Sequence, residues 1–141
     1  MKNKKKARID TYETIYNIDV VVANELVSLK KLRELFEYLD GKELKECFAE
    51  WDVVTATLTR KSDGAYVVLI KFNRISDGFV SSGDKLLDMI DICSHEATHA
   101  ALDIYSSVSA TIDMENQENF AYFVAYIAER AAKTLLDKWH I

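Results

Sequence analysis

The sequence predicts an α+β fold, in which a small antiparallel sheet with a backing helix precedes two long helices. Apolar and polar residues alternate from Tyr12 to Val22, which is typical of a half-buried strand. The segment Lys61-Ser62-Asp63-Gly64 predicts a hairpin turn between two further strands. The stretches from Asp84 to Tyr105 and from Met114 to Trp139 contain neither Gly nor Pro and repeat apolar residues at helical spacing.

The predicted elements follow one another without a linker or an internal repeat. Asn24 is predicted to cap the backing helix, whose apolar face includes Leu29 and Leu39 and which ends at Gly41. The remaining predicted elements are a helical turn over 43–48, strands Trp51–Thr59 and Tyr66–Asn73, and a loop from Arg74 to Gly83.

Length and charge predict one domain with a basic N-terminal extension. A chain of 141 residues is long enough for one core, and we expect residues 11–141 to form it. Five of the first eight residues are Lys or Arg, so residues 1–10 are predicted to be a mobile basic tail. The net charge of −5 argues against nucleic acid as the main partner.

Composition also predicts the compartment. The sequence contains no apolar run of signal-peptide or membrane-spanning length, so no membrane association is expected. Cys47 and Cys93 stand far apart and outside any metal-binding spacing, which indicates buried thiols in a reducing cytoplasm.

The segment His95-Glu96-Ala97-Thr98-His99 carries the chemistry. Two imidazoles four residues apart lie about 40° apart around a helix axis and can reach one metal ion. A Glu between them is placed to take a proton from water on that ion. His95 and His99 are therefore predicted metal ligands, and Glu96 is the predicted general base.

A catalytic zinc site needs a third protein ligand. The third histidine, His140, is the penultimate residue, so a carboxylate of the last helix is expected instead. Glu118 is favoured, because it borders a stripe of small residues on the last helix that is predicted to face small residues of the motif helix. The stripe consists of Ala121, Ala125, Ala128 and Ala132. Glu115 and Glu129 remain alternatives.

This pattern, HExxH followed by Glu118 after 18 intervening residues, resembles the gluzincin branch of the zincin metallopeptidases, especially minimal zincin-like domains of bacteria and mobile elements. The resemblance implies Zn²⁺ at His95, His99 and Glu118, Glu96 as catalytic base, and an active-site helix followed by a ligand helix. Two positions differ from the family pattern. Gln117 stands where the family has Asn before the ligand Glu, and Tyr122 stands where it has an Asp that orients a ligand histidine. Asp91 and Asp103 are possible substitutes for that Asp.

The resemblance implies a metallopeptidase acting on a peptide or protein substrate, which an edge strand holds by backbone pairing. Either of the two predicted hairpin strands is a candidate for that edge. The small size of the chain suggests that a partner completes the cleft, and it leaves the oligomeric state open. An alternative function is a non-catalytic, zinc-stabilised accessory or interaction domain of a phage or mobile element.

Overall fold

The computed structural model describes residues 5–74, 84–115 and 117–136. It confirms an α+β fold with a five-stranded sheet and four helices. The elements in chain order are β1 (Ile9–Tyr12), β2 (Asp19–Ala23), α1 (Leu29–Leu35), β3 (Phe36–Glu37), α2 (Cys47–Glu50), β4 (Val53–Arg60), β5 (Tyr66–Phe72), α3 (Lys85–Ser107) and α4 (Glu118–Leu135).

The sheet is mixed, with strand order β1-β2-β5-β4-β3. Three neighbouring pairs are antiparallel, as predicted, whereas β2 and β5 run parallel. A parallel pair requires a long crossover connection, and here the chain between Ala23 and Tyr66 supplies it. As a result β5 lies inside the sheet, between β2 and β4.

Helices cover both faces of the sheet. Leu32 of α1 and Phe48 of α2 pack on one face, together with Val21 and Leu69. The other face packs against α3 and α4 through a second cluster, which includes Ile70. Strands β2 and β5 are consequently apolar on both sides, as expected for strands in the middle of a layered fold.

The N-terminal segment forms a hairpin and not the single strand that alternation predicted. β1 and β2 pair antiparallel, and Asn17 in the connection has φ 58°, a conformation that Asn adopts more readily than most residues. Residues 5–10 lie against the end of β2: the buried Asn24 side chain donates to Lys6 O and accepts from Arg8 N. The predicted domain boundary at residue 11 therefore falls within β1.

Asn24 was predicted to cap the first helix, but Ser28 does so, because its hydroxyl accepts from Lys31 N. α1 ends at Leu35, several residues before Gly41, since Phe36 is already extended and pairs with β4. The cause is tertiary: burying the Phe36 side chain in the sheet outweighs the helical periodicity of the sequence.

The two long helices lie close to their predicted positions. Asp84 caps α3, accepting from Leu86 N and Leu87 N, as the sequence predicted. Of the apolar face that helical spacing predicts, Ala97, Ala101 and Ile104 are buried, whereas Leu86 and Ile90 are exposed and Met89 and Cys93 are buried instead. Among the described helices, none has the length and apolar character needed to cross a membrane.

Lys71 on β5 is a buried cation in the core. Its side chain is 1% exposed, and Nζ donates to Asn24 O at 2.8 Å and to Phe72 O at 3.1 Å. Burial lowers the pKa of Lys71 from 10.5 to about 8, and the nearby Glu25 carboxylate partly opposes this shift. The protonated lysine therefore costs the folded state free energy.

This cost predicts a pH dependence of stability. Because Lys71 loses its proton near pH 8 when folded but near 10.5 when unfolded, the unfolded chain binds more protons between these values. The free energy of unfolding should rise over this range, by at most about 3 kcal/mol relative to Lys71→Met. Urea denaturation of both proteins at about pH 7.5 and about pH 10 measures the difference. A difference that does not change with pH would contradict this account.

Candidate metal centre on α3

The two motif histidines lie in the middle of α3 and direct their rings to one point. His95 Nε2 and His99 Nε2 are 3.1 Å apart, and the ring centroids are 4.8 Å apart. Two nitrogen ligands at about 2.0–2.1 Å from one tetrahedral zinc ion are about 3.3–3.4 Å from each other. The pair therefore has close to the spacing that a shared cation requires. Both residues are exposed, so an ion in solution can reach them.

Glu96 lies beside the pair and is fixed by the sheet. Its side chain is 13% exposed, and Thr55 Oγ1 of β4 donates to Oε2 at 2.5 Å. The second oxygen, Oε1, is 4.0 Å from His95 Nε2. One carboxylate oxygen is thus held by the strand, while the other stays near the imidazoles, as a general base at this site requires.

Asp103 adds a carboxylate one turn after His99. Burial raises the pKa of Asp103, and the nearby His99 partly opposes this rise. Asp91, the other candidate for a supporting carboxylate, is exposed. The structure therefore places Asp103, rather than Asp91, where it can influence a motif histidine.

The structure does not bring Glu118 to the histidine pair. Glu118 is the exposed first residue of α4, and the first turns of that helix pack against Tyr105, whose ring lies 5.3 Å from that of Phe120. His99 precedes Tyr105 by six residues, which is about 9 Å along the α3 axis and about 120° around it. Glu118 therefore lies near the far end of α3, on another side.

The alternative carboxylates are no closer to a ligand role. Glu115 is exposed, and the side chain of Glu129 is 79% exposed and lies 3.7 Å from Arg130. Within residues 5–74, 84–115 and 117–136, no three His, Cys, Asp or Glu side chains come together as a metal-binding group. His140 lies outside these ranges.

The position of Glu118 away from the histidine pair has a physical cause. The alanine stripe of α4 was expected to face α3, but Ala121 and Ala125 in its first half are exposed, and only Ala128 and Ala132 pack against the core. In the first turns the bulky Phe123 faces the core in their place. α4 is therefore rotated away from the orientation that would direct Glu118 to the pair.

Thr55 is a site residue that the sequence analysis missed. On β4, Thr55 and Thr57 alternate with Val54 and Leu58, which pack on the opposite face of the sheet. A threonine on a strand face that a helix covers needs a polar partner. The alternating threonines of the predicted strand could therefore have indicated a polar contact with a helix.

Cys93 is buried, as predicted, and burial followed by the charge of Glu96 raises the pKa of its thiol to about 12, so it is neither a nucleophile nor a ligand. Tyr105 and Tyr126 lie on the α4 side. There Tyr105 accepts from Tyr16, and Tyr126 donates to Glu13 O.

Comparison of the chain with protein-family models, with curated proteins and with solved structures gave no match. The likeness to gluzincins consequently rests on the HExxH pattern and its geometry.

Proposed function

We propose that the protein is a zinc-dependent metallopeptidase, in which His95 and His99 hold the cation and Glu96 is the general base. The observation that carries the proposal is the pair of imidazole nitrogens 3.1 Å apart beside a glutamate that a threonine holds in place. A merely structural helix has no need for this combination on its exposed side.

The residues fit a metal ion in part. His95 and His99 match two neighbouring coordination positions, whereas the described arrangement delivers no third protein ligand. When bound there, zinc supplies Lewis-acid polarisation of a carbonyl and lowers the pKa of water from about 16 to about 7. With only two protein ligands, a single chain should hold the ion less tightly than a three-ligand site does.

The side chains of this protein have separate tasks. Glu96 Oε1 accepts a proton from the attacking water and later passes it to the leaving amine. Thr55 keeps Oε2 engaged, so that the carboxylate stays in one orientation. Asp103 adds a negative charge near His99, which favours a cation there.

The sheet offers one place for an extended peptide. β5 is inside the sheet, whereas β4 pairs with β3 only at Thr59 and Arg60. The stretch Val53–Leu58 therefore provides the edge next to Glu96, and we propose that substrate pairs with it. Both cysteines are free, which fits action in the cytoplasm on a peptide or protein.

A second candidate function is a metal-stabilised interaction domain without catalysis. The described residues bring no third ligand to the pair, which favours this function, because a cation bound by two imidazoles and a partner's side chain would link two molecules. The buried and positioned Glu96 weighs against it, since a structural site does not need a base.

The metal assignment predicts which variants lose zinc. His95→Ala and His99→Ala should each weaken zinc binding at least tenfold, because each removes half of the described ligand set. Glu118→Ala should bind zinc as the wild type does, and Glu115→Ala is its matched control. Isothermal titration with zinc measures all four affinities. Loss of affinity in Glu118→Ala alone would show that α4 reorients to supply the third ligand.

The catalytic assignment predicts that Glu96→Gln keeps zinc but loses hydrolysis. The amide preserves the shape and the hydrogen bond from Thr55, yet it cannot accept the proton. Release of fluorescein from labelled casein should fall by about two orders of magnitude or more. Equal turnover in the variant would refute the role of Glu96, and absence of turnover in the wild type would favour the interaction domain.

The role of Thr55 as a positioning residue predicts a smaller effect. Thr55→Val removes the hydrogen bond to Glu96, and the rate of casein hydrolysis should fall about tenfold, equivalent to about 1.4 kcal/mol. Thr57→Val, two residues along the same face of β4, is the matched control and should retain the wild-type rate. If Thr55→Val lowers zinc affinity instead of the rate, Thr55 acts on the ligands and not on the base.

A further inference from the structure

The free edge of β4 presents backbone groups that the described chain leaves open to a partner strand. Arg60 N donates to Ala65 O, and Gly64 N donates to Arg60 O, so Arg60 directs its backbone groups to the β5 side. In an antiparallel pair this orientation alternates, so Thr55 and Thr57 direct their N–H and C=O groups to the opposite edge. Lys61 N follows the same alternation and donates to Leu35 O.

The composition of this edge is unusual for one left open to water. Val53–Leu58 reads VVTATL and contains no charged residue and no Pro, the devices by which proteins block strand pairing. Its β-branched residues favour an extended partner strand. The edge is therefore suited to pairing, and a second copy of the chain carries the same stretch.

Self-pairing of this edge is most extensive in one register, since an axis beside Ala56 would pair only Thr55 with Thr57 of the second copy. Around a two-fold axis, antiparallel strands match residues whose backbone groups both face outward. An axis at Thr55 pairs Val53 with Thr57 of the second copy and uses the whole free stretch. An axis at Thr57 would require Thr59, which β3 already occupies. The axis therefore passes beside the residue that holds Glu96.

The same register brings the two motif segments close to the axis. Glu96 of α3 accepts from Thr55 itself, so its helical neighbours His95 and His99 lie beside the strand that the axis crosses. Paired strands are about 4.8 Å apart, so the His95/His99 pairs of the two copies lie beside adjacent strands.

We propose that two copies pair along β4 around an axis at Thr55 and hold one zinc ion between them with both His95/His99 pairs. This inference rests on the proposed function and adds a regulation of the same site. The four imidazoles complete the tetrahedral set that one chain lacks. The cation also offsets the two Glu96 carboxylates, which the axis at Thr55 brings near each other. Because the paired edges and the filled coordination shell exclude substrate, the dimer is the resting form, and the zinc-loaded monomer that dilution releases hydrolyses peptides.

Sedimentation velocity with and without zinc tests the dimer. The wild type should be a monomer in EDTA and a dimer with zinc, with one zinc per two chains. His99→Ala should remain a monomer. Thr57→Pro removes an outward N–H without touching the β5 ladder and should also remain a monomer, whereas its control Thr57→Val should dimerise. Circular dichroism verifies that each variant is folded.

A second measurement covers the case in which Thr57→Pro does not fold. Zinc should slow amide hydrogen exchange at Thr55 and Thr57 of the wild type at least tenfold, and His99→Ala should show no such slowing. Wild type that binds zinc but stays a monomer overturns the dimer and leaves the proposed function intact. A dimer that forms equally in His99→Ala overturns the shared zinc. Failure of the wild type to bind zinc overturns the proposed function itself.

Discussion

The hydrogen bond from Thr55 to Glu96 links the strand edge to the motif helix, and the rest of the site depends on it. It holds the Glu96 carboxylate in one place, because a glutamate with a side chain 13% exposed must have a polar partner where it meets the sheet. With Glu96 turned toward β4, the geometry of the helix places His95 and His99 on the outer side of α3. The buried apolar face of α3 sets the rotation of the helix, and Thr55 sets the orientation of the carboxylate within it.

The opposite side of α3 is determined by aromatic packing. Tyr105 contacts Tyr16, Phe120 and Phe123 with ring centroids 5.3–6.0 Å apart, and Tyr16 also donates to the Tyr105 hydroxyl. These contacts place α4 over β1 and β2, away from the histidine pair. The helix that was expected to complete the metal site therefore closes the core, and the side of α3 above β4 stays open.

The sequence predicted those features that depend on local rules. The N-cap Asp84, the hairpin turn at 61–64 and the imidazole pair depend on residues at most a few positions apart. Features set by distant contacts were not predictable in this way. The Phe36 side chain ends α1 because it is needed in the sheet, and the orientation of α4 follows from Phe123 filling space that the alanine stripe was expected to fill. Periodicity specifies which residues share a helix face but not which neighbour that face meets.

Within the part of the chain that the structure describes, an unpaired stretch of β4 and the histidine pair lie at the same place because one contact connects them. Thr55 belongs to the edge through its backbone and to the site through its hydroxyl, so any strand that pairs with the edge also approaches the imidazoles. A substrate strand would bring a carbonyl there, and a second copy would bring two further imidazoles. Coordination and strand pairing are thus coupled through geometry. The strand that pairs with the edge would also supply the remaining ligands of the cation.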